Sequence, residues 1–502
     1  DKALEYLEKA KVLKVKQTEI YFNIGLIYEK KQNWNKAISN YEKAIKYNSK
    51  NINALINLGN IFLLNKSYNK SLKFFESAIK LRENDPALHH NIAVVLTQLN
   101  QSDKAIKCYL KSIQLNSTNS LTYYNLGNLL ANKLLLNEAI DYYFKAININ
   151  PNNVKFYYNL AHSQSEKGDY YSAIKNYEKA ISIDENFINA KYNLARLHLA
   201  TENFKSGWSF FEERHNQGNP DQRIQKILKL KKWNGKKTSG TVYVHGEQGV
   251  GDLILHASII FDLYKVHEKI CLIVDSRLKD LFKRSFNKIK VLSYQNKITF
   301  NDNDLHITLA SLGSFFRKSI NDFPRYKKGY IIPNLNKTEY FKKFFKKNRN
   351  IKIGFSWRSV GDRGSLRTIS LEKLSKILKT EKIDFVNLQY GESKSEINNF
   401  QKKYKKKLIN FSNIDLKNDF ESLSAIIKSC DLVITISNAV AHLSAAIGKE
   451  TWIIVPVNTQ WHWFYNRKDS LWYPKVKLFR QNKFNDWNDT IEKVYLEIKK
   501  IT

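Results

Sequence analysis

The stretch SLTYYNLGNLLANKLLLNEAIDYYFKAININP (120–151) decides the fold of the first two-fifths of the chain. In it Asn125 is followed by Gly127, then by Ala139, Tyr143 and Ala146, and the stretch closes on Pro151. A shift of 34 residues in either direction lands on the same residue classes. Asparagine returns at Asn23, Asn57, Asn91, Asn125, Asn159 and Asn193, with a small residue two positions later at Gly25, Gly59, Ala93, Gly127, Ala161 and Ala195. The next small position reads Ala37, Ser71, Ala105, Ala139, Ala173 and Gly207; the ring position reads Tyr41, Phe75, Tyr109, Tyr143, Tyr177 and Phe211. Small residues at fixed places let the two helices of a hairpin approach closely, while rings and Leu/Ile positions fill the gaps between hairpins. The pattern predicts a stacked helical solenoid over 1–216.

This register resembles the tetratricopeptide repeat, with the late proline kept at Pro151 and, nearby, at Pro86. By that resemblance the first helix of each hairpin lines a groove, and the six asparagines form a ladder along it. A carboxamide offers one acceptor and one donor group, the complement of a peptide backbone. The ladder is similar to that of the O-linked N-acetylglucosamine transferases, which implies a polypeptide acceptor or partner protein held at Asn23, Asn57, Asn91, Asn125, Asn159 and Asn193. The alternative is that asparagine at this place serves the repeat itself, in a chain rich in Asn throughout.

Around this array, 502 residues leave room for one or two further globular domains. The formal charge of +35 invites a nucleic-acid reading. Lysine is spread along the whole chain, however, and the dense runs FKKFFKKNRN (341–350) and QKKYKKKL (401–408) read as solvated helix faces or linkers. No nucleic-acid-binding motif accompanies the charge, so no nucleic-acid partner is expected. Cys108, Cys271 and Cys430 are too few and scattered for a disulfide framework. No run of about 18 apolar residues occurs, so no stable membrane insertion is expected, and the cytoplasm is the expected location. The opening DKALEYLEKA reads as the second helix of a repeat whose first helix lies upstream.

From 204 the register continues as FKSGWSFFEERH (204–215) but adds Trp208, Glu212 and Arg214, a wide ring and paired charges suited to burying the open end of a solenoid. A polar linker over 217–239 follows. TVYVHGEQGVGDLILHASIIFDLY (241–264) then reads as a short strand, a Gly-broken loop and a helix, with the loop at the strand's carboxyl end, where open α/β sheets bind ligands. Further strands are expected at 270–275, 290–294 and 304–310, and a second series at 351–357, 383–390, 432–437 and 451–456. Two runs of alternating strands and helices predict two Rossmann-like domains, over 240–345 and 346–502.

Four segments carry a second resemblance. GW-x-x-x-E-x-R through W-N-G (Trp208, Arg214, Trp233, Gly235), the G-x-G-D loop at Asp252, SNAVAHLSAAIGK (437–449) and QWHWFYNRKDSLWYPKVKLFRQ (460–481) are similar to bacterial proteins that join tetratricopeptide repeats to a heptosyltransferase-like domain. That family has the GT-B fold of glycosyltransferase family 9. The resemblance implies a helical solenoid followed by an α/β GT-B pair, a nucleotide-diphosphate sugar as substrate, and no cofactor or metal. It places the base at Asp252, with Glu247 a second carboxylate in the loop, and donor binding at Arg358, Arg367, Gln389, Ser437, Asn438, His442 and Trp461. Two positions depart from the family: Ser437 stands where Asp is usual, and Tyr390 where Lys is frequent.

Local readings compete at several of these positions. Asp252 also suits a helix cap, His442 a satisfied core histidine, and the tryptophans of 461–472 simple packing. Helix 439–449 would present free N–H groups to a diphosphate. The expected activity is sugar transfer from a nucleotide diphosphate to a polypeptide delivered by the solenoid. A glycan or lipid-linked acceptor, or a scaffold with a transferase-like domain that does not turn over, are the alternatives.

Overall fold

In the computed structural model, which describes residues 2–12, 16–216, 224–246, 249–324, 328–360 and 364–502, the repeat register becomes helix hairpins. Gln17–Lys30 pairs with Trp34–Tyr47, Ile52–Leu64 with Tyr68–Leu81, Pro86–Gln98 with Ser102–Leu115, and Ser120–Asn132 with Leu136–Ile149. The small residue and the ring prove to be one device. A Cβ added at Gly25 would lie 2.6 Å from the Tyr41 ring, at Gly59 2.5 Å from Phe75, and at Gly127 2.7 Å from Tyr143. Each ring lies in the space its glycine leaves open, and Tyr41, Phe75 and Tyr143 are fully buried as a result.

A second periodicity sits in the backbone. Gln32, Lys66, Asn100 and Leu134 all adopt positive φ, between 55° and 62°. Each lets the residue after it donate back to the helix it leaves, as from Ser67 N–H to Phe62 O (2.8 Å) and Leu135 N–H to Leu130 O (3.0 Å). Helices then restart on asparagine or aspartate caps at Asn33, Asn51, Asp85 and Asn119.

The chain divides into two compact units, Asp1–Gln164 with Ser182–Asp184, and Ser165–Ile181 with Glu185–Thr502. The second unit contains the last helices of the array and two five-stranded, all-parallel sheets. The first sheet has β1 (Lys231–Lys232), β2 (Val242–His245), β3 (Ile270–Val274), β4 (Lys290–Ser293) and β5 (Leu305–Thr308) in the order β1-β5-β2-β3-β4. The second has β6 (Ile351–Ser356), β7 (Ile383–Asn387), β8 (Leu432–Ile436), β9 (Thr451–Val455) and β10 (Val476–Arg480) in the order β10-β9-β8-β6-β7. β2, β3, β6, β8 and β9 are wholly buried or nearly so, as parallel strands covered on both faces must be. Two strands lie where none was expected. β1 falls in the stretch read as linker, and β10 within the closing aromatic segment.

Within this unit the end of the array is anchored to both sheets. Trp208 on helix Phe204–Phe211 donates its indole N–H to Arg317 O (2.7 Å), and its ring fills the place a side chain at Gly313 would take. Arg214 reaches Thr308 (2.9 Å) and Ser311 (2.7 Å) beyond β5. Toward the second sheet, Tyr170 donates to Thr459 O (3.2 Å), Tyr465 N–H donates to Ala200 O (2.6 Å), and Arg467 pairs with Glu202 (2.9 Å).

The two sheets meet backbone to backbone. Gly329 and Gly448 both have positive φ, 81° and 76°, and a Cβ on either would strike the other's chain segment, Ala446–Gly448 or Lys328–Gly329. Tyr330 and Ile331 N–H both donate to Ala446 O there (2.7 and 3.0 Å). Gly391 has the same φ, 81°, with nothing within 4 Å. Gly391→Ala is therefore expected to cost about 1 kcal/mol, the backbone term alone. Gly448→Ala should cost several-fold more in urea denaturation, because a backbone contact cannot give way as a side chain can.

Candidate functional site

In the second sheet β7 and β8 lie on opposite sides of β6, so the segments leaving β6 and β8 diverge and open a crevice at their carboxyl ends. Asn438 spans it. Its Oδ1 accepts from Val440 N–H (3.0 Å) and Ala441 N–H (3.3 Å), capping helix Ala439–Ala446, while its Nδ2 donates to Ser356 Oγ (2.8 Å) and Arg358 O (3.2 Å). Gln389 braces the same loop. Its Oε1 accepts from Ser356 Oγ (3.0 Å), Trp357 N–H (3.0 Å) and Arg358 N–H (2.7 Å), and its Nε2 donates to Tyr390 O (2.8 Å). Ser437 donates to Gln460 Oε1 (2.5 Å) and accepts from the Trp463 indole (2.7 Å). These three side chains build the floor of the crevice, and their hydrogen-bonding groups are engaged by the protein.

A cavity of about 350 Å³ lies over that floor. Gly249, Gly251, Asp252 and Arg277 line it from the first sheet's side; Ser359, Arg367, Tyr390, Phe420, Leu423, Ala439, His442 and Gln460 from the second. Asp252 is the third residue of helix Val250–Ala257, whose N-cap is Gly249, so it is not the capping residue, although a first-turn carboxylate still favours the helix dipole. Glu247 lies outside the described residues. Arg367 has a buried Nε with no hydrogen-bond partner among the described residues. Burial pushes its pKa down, while Tyr390 and Asp252 oppose that shift. Arg277 is held by Asp275 (2.8 and 2.9 Å) and by Lys417 O (3.2 Å), which leaves Arg367 as the guanidinium with unmet capacity.

Three expectations change here. Helix Ala439–Ala446 does not present open amides, because Asn438 takes Val440 and Ala441 N–H and the Tyr390 hydroxyl accepts from Ala439 N–H. Arg358 points away from the cavity, bonded to Glu392 O (2.7 Å) and 3.7 Å from Glu396, beside a separate depression. Trp461 is 8 % exposed and wedged edge-on among Trp208, Phe211 and Trp472, centroids 5.7–6.1 Å apart, so its ring packs the array's end rather than facing the cavity. Sequence reading passed over Arg277, which follows β3 at its carboxyl end and could have been found by that placement. Phe420 and Leu423 sit on a helix with no local signature.

His442 is held at Nδ1, 3.1 Å from the Tyr473 hydroxyl, while Tyr330 donates to Ile254 O (2.6 Å). His442 Nε2 faces Gly251, whose Cβ position is 3.8 Å away. Burial drops the His442 pKa to about 3, so the ring is neutral at physiological pH.

The ladder also has a direction. Asn57 Nδ2 donates to Tyr41 Oη (3.0 Å), Asn91 to Asn60 (3.5 Å), and Asn159 to both Tyr124 Oη (2.9 Å) and Asn128 Oδ1 (2.7 Å). Each donor half reaches back to the preceding repeat. None of these bonds uses the ladder Oδ1 atoms.

The tetratricopeptide-repeat family model matches residues 18–51, 120–153 and 154–187, and two further repeat models match 52–85 and 95–133. The N-terminal region is thus a tetratricopeptide-repeat scaffold. Protein FlbA of Caulobacter vibrioides is 26 % identical over 317 residues, 59 % of this chain and 52 % of its own length. The chain spans about half of that relative. Among solved structures, MamA protein is 25 % identical, covering 36 % of this chain and 97 % of its own (TM-score 0.33). YrrB, described as a tetratricopeptide-repeat protein with an unusual peptide-binding site, is 22 % identical, covering 38 % and 98 % (TM-score 0.34).

Two measurements follow from this geometry. Asn159→Ala is expected to cost the array about 1–3 kcal/mol by losing its inter-repeat bonds, and Asn125→Ala, which makes no such bond among the described residues, close to nothing. Buried His245, His256 and His442 are held near pKa 3 by desolvation. The unfolded chain binds protons they refuse, so stability present above about pH 6.5 should fall as pH drops toward 3, by about 1 kcal/mol per pH unit for each imidazole. Urea midpoints between pH 7.5 and 5 read the slope, and His256→Gln should remove one such increment.

Proposed function

We propose that the chain is a glycosyltransferase of the GT-B type that moves a sugar from a nucleotide-diphosphate donor to a hydroxyl of a polypeptide held along the repeats. The observation that carries this reading is the cavity over the β6/β8 crevice, which sets Asp252 on one wall and Arg367 with Tyr390 on the other. In the reaction the acceptor oxygen bonds to the anomeric carbon as the bond to the diphosphate breaks, and Asp252 takes the acceptor proton. Arg367 and the Tyr390 hydroxyl stabilise the charge that builds on the leaving diphosphate. His442 Nε2 hydrogen-bonds a sugar or acceptor hydroxyl. Leu416, Phe420 and Leu423 give the nucleoside an apolar wall. Along the array, the ladder Oδ1 atoms accept backbone N–H groups of the polypeptide.

A second reading draws on the satisfied floor. With Ser437, Asn438 and Gln389 bonded to the protein and the helix amides occupied, the same site suits a repeat scaffold that binds a nucleotide without turnover. Incubation with a panel of nucleotide sugars, watching for released nucleotide, separates the two. The transferase reading expects release that falls about 100-fold or more in Asp252→Asn while nucleotide binding persists. Release unchanged in that variant removes Asp252 as base. Binding without release favours the scaffold, and the absence of both overturns the nucleotide-sugar reading.

A further inference from the structure

The apolar wall of the cavity, Leu416, Phe420 and Leu423, lies in the segment between β7 and β8, around the start of helix Phe420–Ser429. That helix supplies its own cap, Asp419 accepting from Ser422 N–H (2.8 Å). Three cations from the chain before β6 grip the same turn from outside. Arg277, fixed on Asp275, donates to Lys417 O (3.2 Å) and lies 5.7 Å from the Phe420 ring centroid. Arg284, on helix Lys279–Ser285, donates from one nitrogen to both Glu421 oxygens (2.7 and 2.9 Å) and from Nε to Ile332 O (2.8 Å). Ile332 N–H is held in turn by Ser285 Oγ (2.9 Å), so the guanidinium is braced on its own side. Lys337, on helix Leu335–Phe345, donates to Ser422 Oγ (2.8 Å) and stands 3.5 Å from Asp419.

The Arg284 and Glu421 side chains are only 29 % and 21 % exposed. Solvent therefore screens this pair less than a surface pair, and removing either partner leaves a half-buried charge without its complement. Among the described residues, Arg284, Glu421 and Lys337 do not line the cavity, whereas Phe420 and Leu423, beside Glu421 in the same helix, do. The pair thus acts on the cavity through the backbone of the helix's first turn.

We infer that Arg284 and Glu421 are positioning residues: from the first sheet's side they set the apolar wall of the cavity and, through it, the grip on the donor's nucleoside. The second half of this inference rests on the nucleotide-sugar reading. The first half does not, since it concerns the wall with no ligand bound.

The experiment compares the intact wild-type chain with Arg284→Gln, Glu421→Gln, the double variant and Arg284→Lys, with circular dichroism and thermal unfolding confirming the fold. Hydrogen exchange without ligand is expected to rise at 416–423 in Arg284→Gln, to rise no further in the double variant, and to recover in part in Arg284→Lys. Titration calorimetry with uridine, guanosine, adenosine, cytidine and thymidine diphosphates reads the nucleoside, and inorganic diphosphate as competitor reads the diphosphate alone. Affinity for the nucleoside diphosphate that wild type binds best is expected to fall about fivefold in Arg284→Gln, with that for inorganic diphosphate unchanged. Unchanged exchange at 416–423 overturns the inference. So does unchanged nucleoside diphosphate affinity, or an equal fall for both probes, which would mark a general loosening of the fold. A wild type that binds no nucleoside diphosphate while exchange rises in Arg284→Gln removes the nucleotide-sugar reading and sustains the positioning of the wall.

Discussion

One carboxamide holds the candidate site in shape. The Asn438 side chain caps helix Ala439–Ala446 with one end and ties the loop after β6 to the loop after β8 with the other. Strands that diverge at their carboxyl ends leave backbone groups without a sheet partner, and buried groups of that kind must find one. Asn438 and Gln389 meet that demand for Ser356, Trp357 and Arg358. The cavity walls, Tyr390 over the first amide and His442 one turn into the helix, follow from where that helix begins. Aspartate could cap the helix as well, but it could not donate to Ser356 and Arg358 O. An amide at 438 therefore serves both loops.

How much of this was legible beforehand differs from element to element. The hairpins were, because a 34-residue register constrains every turn at once, and all eight strands expected from apolar runs are present. β1 was hidden by its two lysines, which an exposed edge strand tolerates. The left-handed turn residues were hidden too: Leu134 and Lys66 carry no preference for that conformation, and only the hairpin geometry imposes it. At the site, sequence could bring Ser437, Asn438, His442, Gln389 and Asp252 to one place, since strand ends are where such residues collect. It could not show that Ser437, Asn438 and Gln389 spend their polar atoms on neighbouring loops of the protein, nor that Arg358 turns outward to Glu392. Those outcomes depend on side-chain partners far apart in the chain.

The ladder illustrates a division of labour within a single residue type. At Asn57, Asn91 and Asn159 the amide hydrogens bond one repeat to the previous one, and those bonds do not use the side-chain carbonyls. A residue common in such repeats for structural reasons and a residue able to meet a polypeptide need not be alternatives, because the two halves of the side chain answer to different partners.

The fit of ring into glycine has a consequence for how such an array can be rearranged. Gly25, Gly59 and Gly127 each accommodate a ring that stands sixteen positions later, whereas Ala93 shares its hairpin with Tyr109, a ring that leaves room for a methyl group. The unit of exchange is therefore the whole hairpin. Recombination that cuts within the turn and joins an alanine-bearing first helix to the second helix of a glycine repeat would bring methyl and ring into the same space. Duplication or shuffling in whole multiples of the repeat keeps every pair intact. An array of this kind can lengthen, shorten or reorder its modules only at the joints between hairpins, and each module carries its own lock and key.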